Sequence, residues 1–310
     1  MPRLAPSSGS RGGLLRDGSP RGAAGGSAAG GVATSGVPAA LRAIGVRPSR
    51  RLGQNFLIDP RVAERIAALV EDPKEPVIEI GPGLGALTML LAATGRELTA
   101  VELDLRLAEA LETRLAPRPG ARVVRGDILE QRAEDLVSGP ATVVANLPYS
   151  ITTPALEWIV RQGGRIRRAV LMVQREYAQR LSAKPGGKEH GSITVFLQLH
   201  AEVRVLFRVS PGAFHPRPEV DSVVLELMPR PYPGTTAEER ASVEHLARAG
   251  MGTRRKTLAN ALARALGMEG AVVRAWLAAA GVESERRGET LSVDEWIALS
   301  KWKPSGPVAG

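Results

Sequence analysis

The stretch Val77-Ile-Glu-Ile-Gly-Pro-Gly-Leu-Gly-Ala-Leu-Thr88 decides the fold. Val77–Ile80 is a short apolar run closed by glycine, the pattern of a strand buried on both faces. Gly81, Gly83 and Gly85 let the chain turn tightly and bring its backbone close to a ligand. Leu84–Ala93 then carries apolar residues at helical spacing. The glycine spacing is G-x-G-x-G rather than the dinucleotide G-x-G-x-x-G, and the lysine of a P-loop is missing. Alone, the turn also fits an ordinary strand-to-helix connection.

The surrounding sequence repeats the alternation. Leu98–Val101, Arg122–Val124, Thr142–Ala145 and Ala169–Val173 read as strands, and Leu105–Leu115 and Pro154–Val160 as helices. Strands alternating with helices predict an α/β fold with a mainly parallel sheet covered on both faces. Ser192–His200 fits neither period better than the other. Val203–Val209 and Val220–Leu227, joined by a Pro-rich turn, predict a strand pair at the sheet edge. Beyond Pro229–Pro233 the pattern turns helical, over Ala237–Gly250, Arg254–Leu266, Ala271–Ala280 and Ser292–Trp302.

Two acids and an asparagine follow strands. Glu102 stands 21 residues after Gly81, where a carboxylate can accept from ribose hydroxyls. Asp127 ends the third strand and can accept from an adenine amine. Both fit an adenosine-bearing ligand without a pyrophosphate, and their charge suits a sulfonium such as S-adenosylmethionine. Asn146-Leu-Pro-Tyr149 ends the fourth strand. Its Asn side chain and a nearby backbone carbonyl can accept the two hydrogens of an adenine N6 amine and localise its lone pair for attack on a methyl group. Tyr149 offers a stacking face for an extruded base. Each acid also fits a capping or surface role, and Asn146 with Tyr149 an Asx turn beside a packed ring.

The 310 residues carry 41 Lys and Arg against 32 Asp and Glu, a net charge of +9, and no Cys. Disulfides, thiolate nucleophiles and Cys-based metal sites are excluded, and no stretch reaches the ~20 apolar residues of a membrane span. Residues 1–50 hold seven Arg against one acid, so +6 of the excess lies there and residues 51–310 carry +3. Residues 1–49, rich in Arg, Gly and Ala, are expected to be a disordered extension. Arg161–Arg168, with its four arginines, and Arg254-Arg-Lys256 form basic clusters suited to phosphate, the second at the start of a helix.

With these motifs in hand, the sequence resembles the ribosomal RNA adenine N6-dimethyltransferases, specifically those acting on small-subunit rRNA. The matching stretches are Leu52-Gly-Gln-Asn-Phe-Leu-Ile-Asp59, Glu79–Thr88, Val101–Asp104, Gly126-Asp127, Asn146–Tyr149, Phe214–Ser222 and Arg254-Arg-Lys-Thr-Leu258, spread in family order from about Arg50 to Leu299. The resemblance implies a Rossmann-like S-adenosylmethionine methyltransferase fold over 50–232, a small C-terminal helical RNA-binding domain over 233–303 and a flexible tail over 304–310. It implies cofactor contacts at Asn55, Leu57, Gly81, Glu102, Asp127 and Asn146. Asn146 and Tyr149 fall at the target adenine, and Phe214 on the base's other face, a position equally suited to a packed core aromatic. No metal is expected. The implied reaction is dimethylation of N6 on two adjacent adenosines in the 3′-terminal hairpin loop of 16S rRNA in the 30S subunit, by a cytoplasmic monomer. Two departures stand out: the family does not normally carry the 1–45 extension, and Ser150 replaces a residue often larger. A 23S rRNA methyltransferase of the macrolide-resistance type and a non-catalytic RNA-binding assembly factor are the alternatives; the Leu of Asn-Leu-Pro-Tyr and the Phe214–Ser222 motif favour the small subunit.

Overall fold

The parallel strands lie in register, and that register builds the site. A computed structural model describes residues 36–48, 53–148, 150–253 and 255–302. In chain order its elements are α1 (Val37–Ala43), β1 (Phe56–Leu57), α2 (Pro60–Ala67), β2 (Val77–Ile80), α3 (Thr88–Ala92), β3 (Leu98–Glu102), α4 (Leu105–Leu115), β4 (Ala121–Arg125), α5 (Ala133–Leu136), β5 (Ala141–Asn146) and α6 (Thr152–Arg161). There follow β6 (Ile166–Gln174), α7 (Arg175–Leu181), α8 (Ser192–His200), β7 (Ala201–Val209), β8 (Phe214–His215), β9 (Ser222–Pro229), α9 (Ala237–Met251), α10 (Leu258–Leu266), α11 (Gly270–Ala279) and α12 (Val293–Lys301).

The main sheet runs in the order β4-β3-β2-β5-β6-β9-β7. Neighbours are parallel from β4 through β6, and β9 lies antiparallel between β6 and β7. The expected α/β class and edge strand pair are therefore present. The connection between β7 and β9 also carries β8, which pairs with β1. Every residue of β2 and β3 is buried, because helices cover both faces, as parallel sheets require. One face packs Ala63 and Ile66 of α2, Leu91 of α3 and Leu111 of α4. The other packs Leu136 of α5, Leu156 and Ile159 of α6 and Leu181 of α7. Asp59 and Asp104 cap α2 and α4 by accepting from amides of their first turns.

The open segment 192–200 is the helix α8. Apolar residues on most of its sides explain the ambiguous period: Phe196 and Leu197 enter the core of the α/β layers, while Val195 and Leu199 enter a second core formed by α9 to α12. Trp296 is fully buried there, and a Cβ on Gly250 would come within 2.7 Å of its ring. The helix expected from Leu84 starts at Thr88, since positive φ at Gly83 and Gly85 prolongs the turn. The helix expected from Arg254 starts after its N-cap Thr257, whose side chain accepts from the Asn260 amide.

The expectation of disorder through residue 49 fails over 36–48. Val37, Leu41 and Val46 are buried against Phe56 and Leu107. The Gly- and Ala-rich composition around them hides a short helix whose few aliphatic residues share one side. The rest of the expected extension, the tail from 304, Tyr149 and Arg254 lie outside the described residues.

Candidate active site

Ile80 of β2 pairs with Val101 of β3 and with Ala145 of β5. The next residues, Gly81, Glu102 and Asn146, consequently form a row along one edge of the sheet. Gly81 has a φ of +65° and a Cβ there would meet nothing within 4 Å, so the turn is open above it. A cavity of about 90 Å³ lies over this row, lined by Asn55, Leu57, Gly81, Glu102 and Asn146 among others. A second, of about 20 Å³, shares Asn55, Asn146 and Pro148 with the first and adds Met172 and Phe214. Asn146 thus stands between two chambers.

Glu102 is buried, and both oxygens hold backbone amides: Oε2 accepts from Gly83 at 3.0 Å and Oε1 from Asp104 at 2.9 Å. Burial pushes its pKa up, opposed by those amides. Asn146 donates from Nδ2 to the Asn55 carbonyl at 2.8 Å, which leaves Oδ1 as its acceptor. Of the carbonyls in the following turn, that of Pro148 already accepts from Ile151 N at 3.2 Å and Thr152 Oγ1 at 2.9 Å.

Five of the six expected cofactor residues line the first chamber. Asp127 does not. It follows β4, one strand beyond Glu102, and caps a short 3₁₀ turn by accepting from Leu129 N at 2.9 Å. Phe214 lines the second chamber and is also buried in the main core, as its packed reading expects.

The sequence reading missed Glu79. It is buried in β2 at the chamber wall, and its Oε2 has no hydrogen-bond partner among the described residues. Burial, with the Glu102 charge adding, pushes its carboxyl up to about 8. An acid inside the otherwise apolar Val77-Ile-Glu-Ile80 was the available signal. Leu103 and Leu105 were missed too; they flank the Glu102 strand end and are 61% and 60% exposed, an apolar shelf against which a flat ring can lie.

The ribosomal RNA adenine dimethylase profile matches residues 46–304. The chain belongs to that family. It is similar to the ribosomal RNA small subunit methyltransferase A of Geobacter metallireducens, 43% identical over 267 residues that cover 84% of this chain and 97% of the relative. The protein of the same name from Moorella thermoacetica is 43% identical over 274 residues, covering 85% of this chain and 95% of the relative. Among solved structures, the 23S rRNA methyltransferase ErmE aligns with a TM-score of 0.58 at 28% identity, over 80% of this chain and 98% of that one. A dimethyladenosine transferase from Plasmodium falciparum aligns with a TM-score of 0.62 at 22% identity, over 79% of this chain and 95% of that one, a likeness of fold.

This dimethylase is an S-adenosylmethionine-dependent methyltransferase. The residues lining its first chamber suit that cofactor. The buried Glu102 carboxyl suits a ligand bearing a sulfonium and an ammonium, the orphaned Glu79 Oε2 offers a hydrogen-bonding group, and the space above Gly81 admits close backbone contact.

The basic clusters separate. Arg161 pairs with Glu244 at 2.7 Å, and Arg168 with Glu226 at 3.5 Å. Both flank the start of β6, whereas the site lies at the ends of the parallel strands, so this cluster faces the opposite edge. Lys184, Lys188, Arg255, Lys256 and Arg287 are exposed and form no ion pair among the described residues. Their three loops are joined by Gly186 N donating to Glu289 O at 2.7 Å and Leu258 N donating to Arg286 O at 2.6 Å.

No helix among the described residues is long and apolar enough to cross a membrane.

Proposed function

We propose that this dimethylase adds two methyl groups to N6 of each of two adjacent adenosines in the 3′-terminal hairpin loop of 16S rRNA. It acts as a cytoplasmic monomer on the 30S subunit or its precursor. The observation that carries the reading is the position of Asn146 between two chambers, with its amide nitrogen committed to Asn55 and its oxygen left to accept. The high identity to relatives named for the small subunit supports the choice of substrate.

S-adenosylmethionine supplies an electrophilic methyl on a good leaving group, so the chain has only to bind, orient and polarise. Asn55, Leu57 and Gly81 line the donor chamber, Glu102 accepts from the ribose hydroxyls, and Asp127 takes the adenine edge. Asn146 Oδ1 accepts one N6 hydrogen of the target adenosine. The Pro148 carbonyl is engaged, so the Leu147 carbonyl accepts the other. Two acceptors localise the nitrogen lone pair and aim it, which is positioning and electrostatics rather than base catalysis. The amine becomes acidic only after attack, and its proton leaves to water. Tyr149 and Phe214 enclose the base.

The test is incubation of under-methylated 30S subunits with labelled S-adenosylmethionine, followed by mapping of modified nucleosides. Dimethyladenosine in the 16S hairpin is expected. Label in 23S rRNA would overturn the substrate assignment, and cofactor binding without transfer would overturn the enzymatic one.

A further inference from the structure

The helix α1 lies ahead of the residues matched by the family profile, yet it packs with walls of the donor chamber. Val37, Leu41 and Val46 pack with Phe56 and Leu107, and Leu84 joins the same cluster. Phe56, Leu84 and Leu107 are walls of the chamber. The Phe56 ring lies 3.1 Å from where a Cβ on Gly83 would stand, and the Gly83 amide holds Glu102 at 3.0 Å. The cluster that holds Leu41 and Phe56 therefore adjoins Gly83, whose amide holds the carboxylate.

A polar latch fastens the other end. Gly45, with φ of +68°, turns the chain after α1, and Val46 N closes the turn by donating to Leu41 O at 2.9 Å. Arg106, near the start of α4, donates from Nη1 to the Gly45 carbonyl. Arg106 is exposed and its side chain makes no ion pair among the described residues.

Chamber size gives this packing a consequence. Pockets that hold a ligand of cofactor size span about 300–1,000 Å³, and this one measures about 90 Å³. One wall is the sheet edge, fixed by the pairing of β2 with β3 and β5. Phe56, on a strand of two residues, is another wall, and α1 packs in the cluster behind it.

We propose that residues 37–46 form a clasp behind the donor chamber, latched by Arg106 on Gly45 and seated by Leu41 in the cluster that holds Phe56 and Leu107, and that the clasp sets cofactor affinity. The proposal rests on reading the chamber as the S-adenosylmethionine site. Arg106 and Leu41 are positioning residues; neither lines the chamber.

Calorimetry with S-adenosylhomocysteine on the full chain tests it. Arg106→Ala and Leu41→Ala are each expected to weaken binding roughly tenfold. KM for S-adenosylmethionine should rise in parallel while kcat at saturating cofactor is kept. Arg106→Lys, which retains a donor, should recover part of the loss. Amides of residues 39–46 should exchange more slowly when S-adenosylhomocysteine is bound to the wild type, and lose that response in Arg106→Ala. Arg106 is exposed, so its variants keep the fold even if Leu41→Ala does not. Wild-type affinity in Arg106→Ala, or ligand-independent exchange over 39–46, overturns the clasp. A wild type that binds no S-adenosylhomocysteine overturns the cofactor reading instead.

Discussion

Asn146 donates from Nδ2 to the main-chain carbonyl of Asn55 across 2.8 Å, joining segments 91 residues apart. One contact ties the end of β5, where the proposed function places the acceptor adenosine, to the segment that walls the donor chamber. The bond fixes the amide orientation, because only the nitrogen can donate.

Asn146→Ala is expected to lower single-turnover methyl transfer about a hundredfold or more, the scale of losing positioning at a reacting atom. S-adenosylhomocysteine affinity should change far less. Asn146→Asp keeps an acceptor but turns an oxygen toward the Asn55 carbonyl, so it should also fail. Near wild-type transfer by either variant on under-methylated 30S subunits would refute the role.

Glu102 is expected to act mainly on the cofactor. Both of its oxygens hold backbone amides, so Glu102→Ala leaves two donors unmet and Glu102→Gln sets an NH₂ against one of them. Hydrogen bonds to a charged group contribute about 1.5–3 kcal/mol. Each variant should therefore weaken S-adenosylhomocysteine roughly tenfold to a hundredfold by calorimetry, with 30S affinity unchanged.

Glu79 makes a pH prediction. Its carboxyl is pushed up from 4.5 to about 8 by burial, so between those values the folded state holds a proton that the unfolded state has released. Stability is thus fully present below the unfolded value and is lost as pH rises toward 8, at about 1.4 kcal/mol per unit. Glu79→Gln removes this dependence. The stability of wild type minus that of Glu79→Gln, from urea unfolding at constant salt, should fall by about 2–3 kcal/mol between pH 5.5 and 7.5. A difference that stays flat would show an ordinary carboxyl.

These residues differ in how far sequence reveals them. Gly81, Glu102 and Asn146 were legible because each ends an apolar run, and parallel pairing converts three run ends into one row. Glu79 was not, since an acid within a run says nothing of burial until both faces are covered. Residues 37–46 were obscured by composition, their three buried aliphatics lying among Gly, Ala and Pro. The fate of Arg161 was out of reach: it pairs with Glu244, 83 residues on, and no local pattern carries that. The period of 192–200 stayed open because α8 faces two cores, which erases the polar side that would mark a helix.

The unpaired cations give the last prediction. Clusters that look alike in sequence differ in what their cations already do. Arg161 and Arg168 are held by Glu244 and Glu226 at the far edge of the sheet, so two of that cluster's four arginines are already paired. Arg255 and Lys256 are exposed and unpaired among the described residues, on loops that hydrogen bonds join to the segment carrying Lys184 and Lys188. A phosphate backbone tracking this side meets cations free to release its counterions. The Arg255→Ala Lys256→Ala double variant should weaken 30S binding and lower the salt slope of log K by about 2. The Arg165→Ala Arg167→Ala double variant, in the cluster at the far edge of the sheet, should leave both unchanged. A uniform loss in the two double variants would mean that net charge alone draws the subunit, and a loss only in the second would place RNA on the opposite edge.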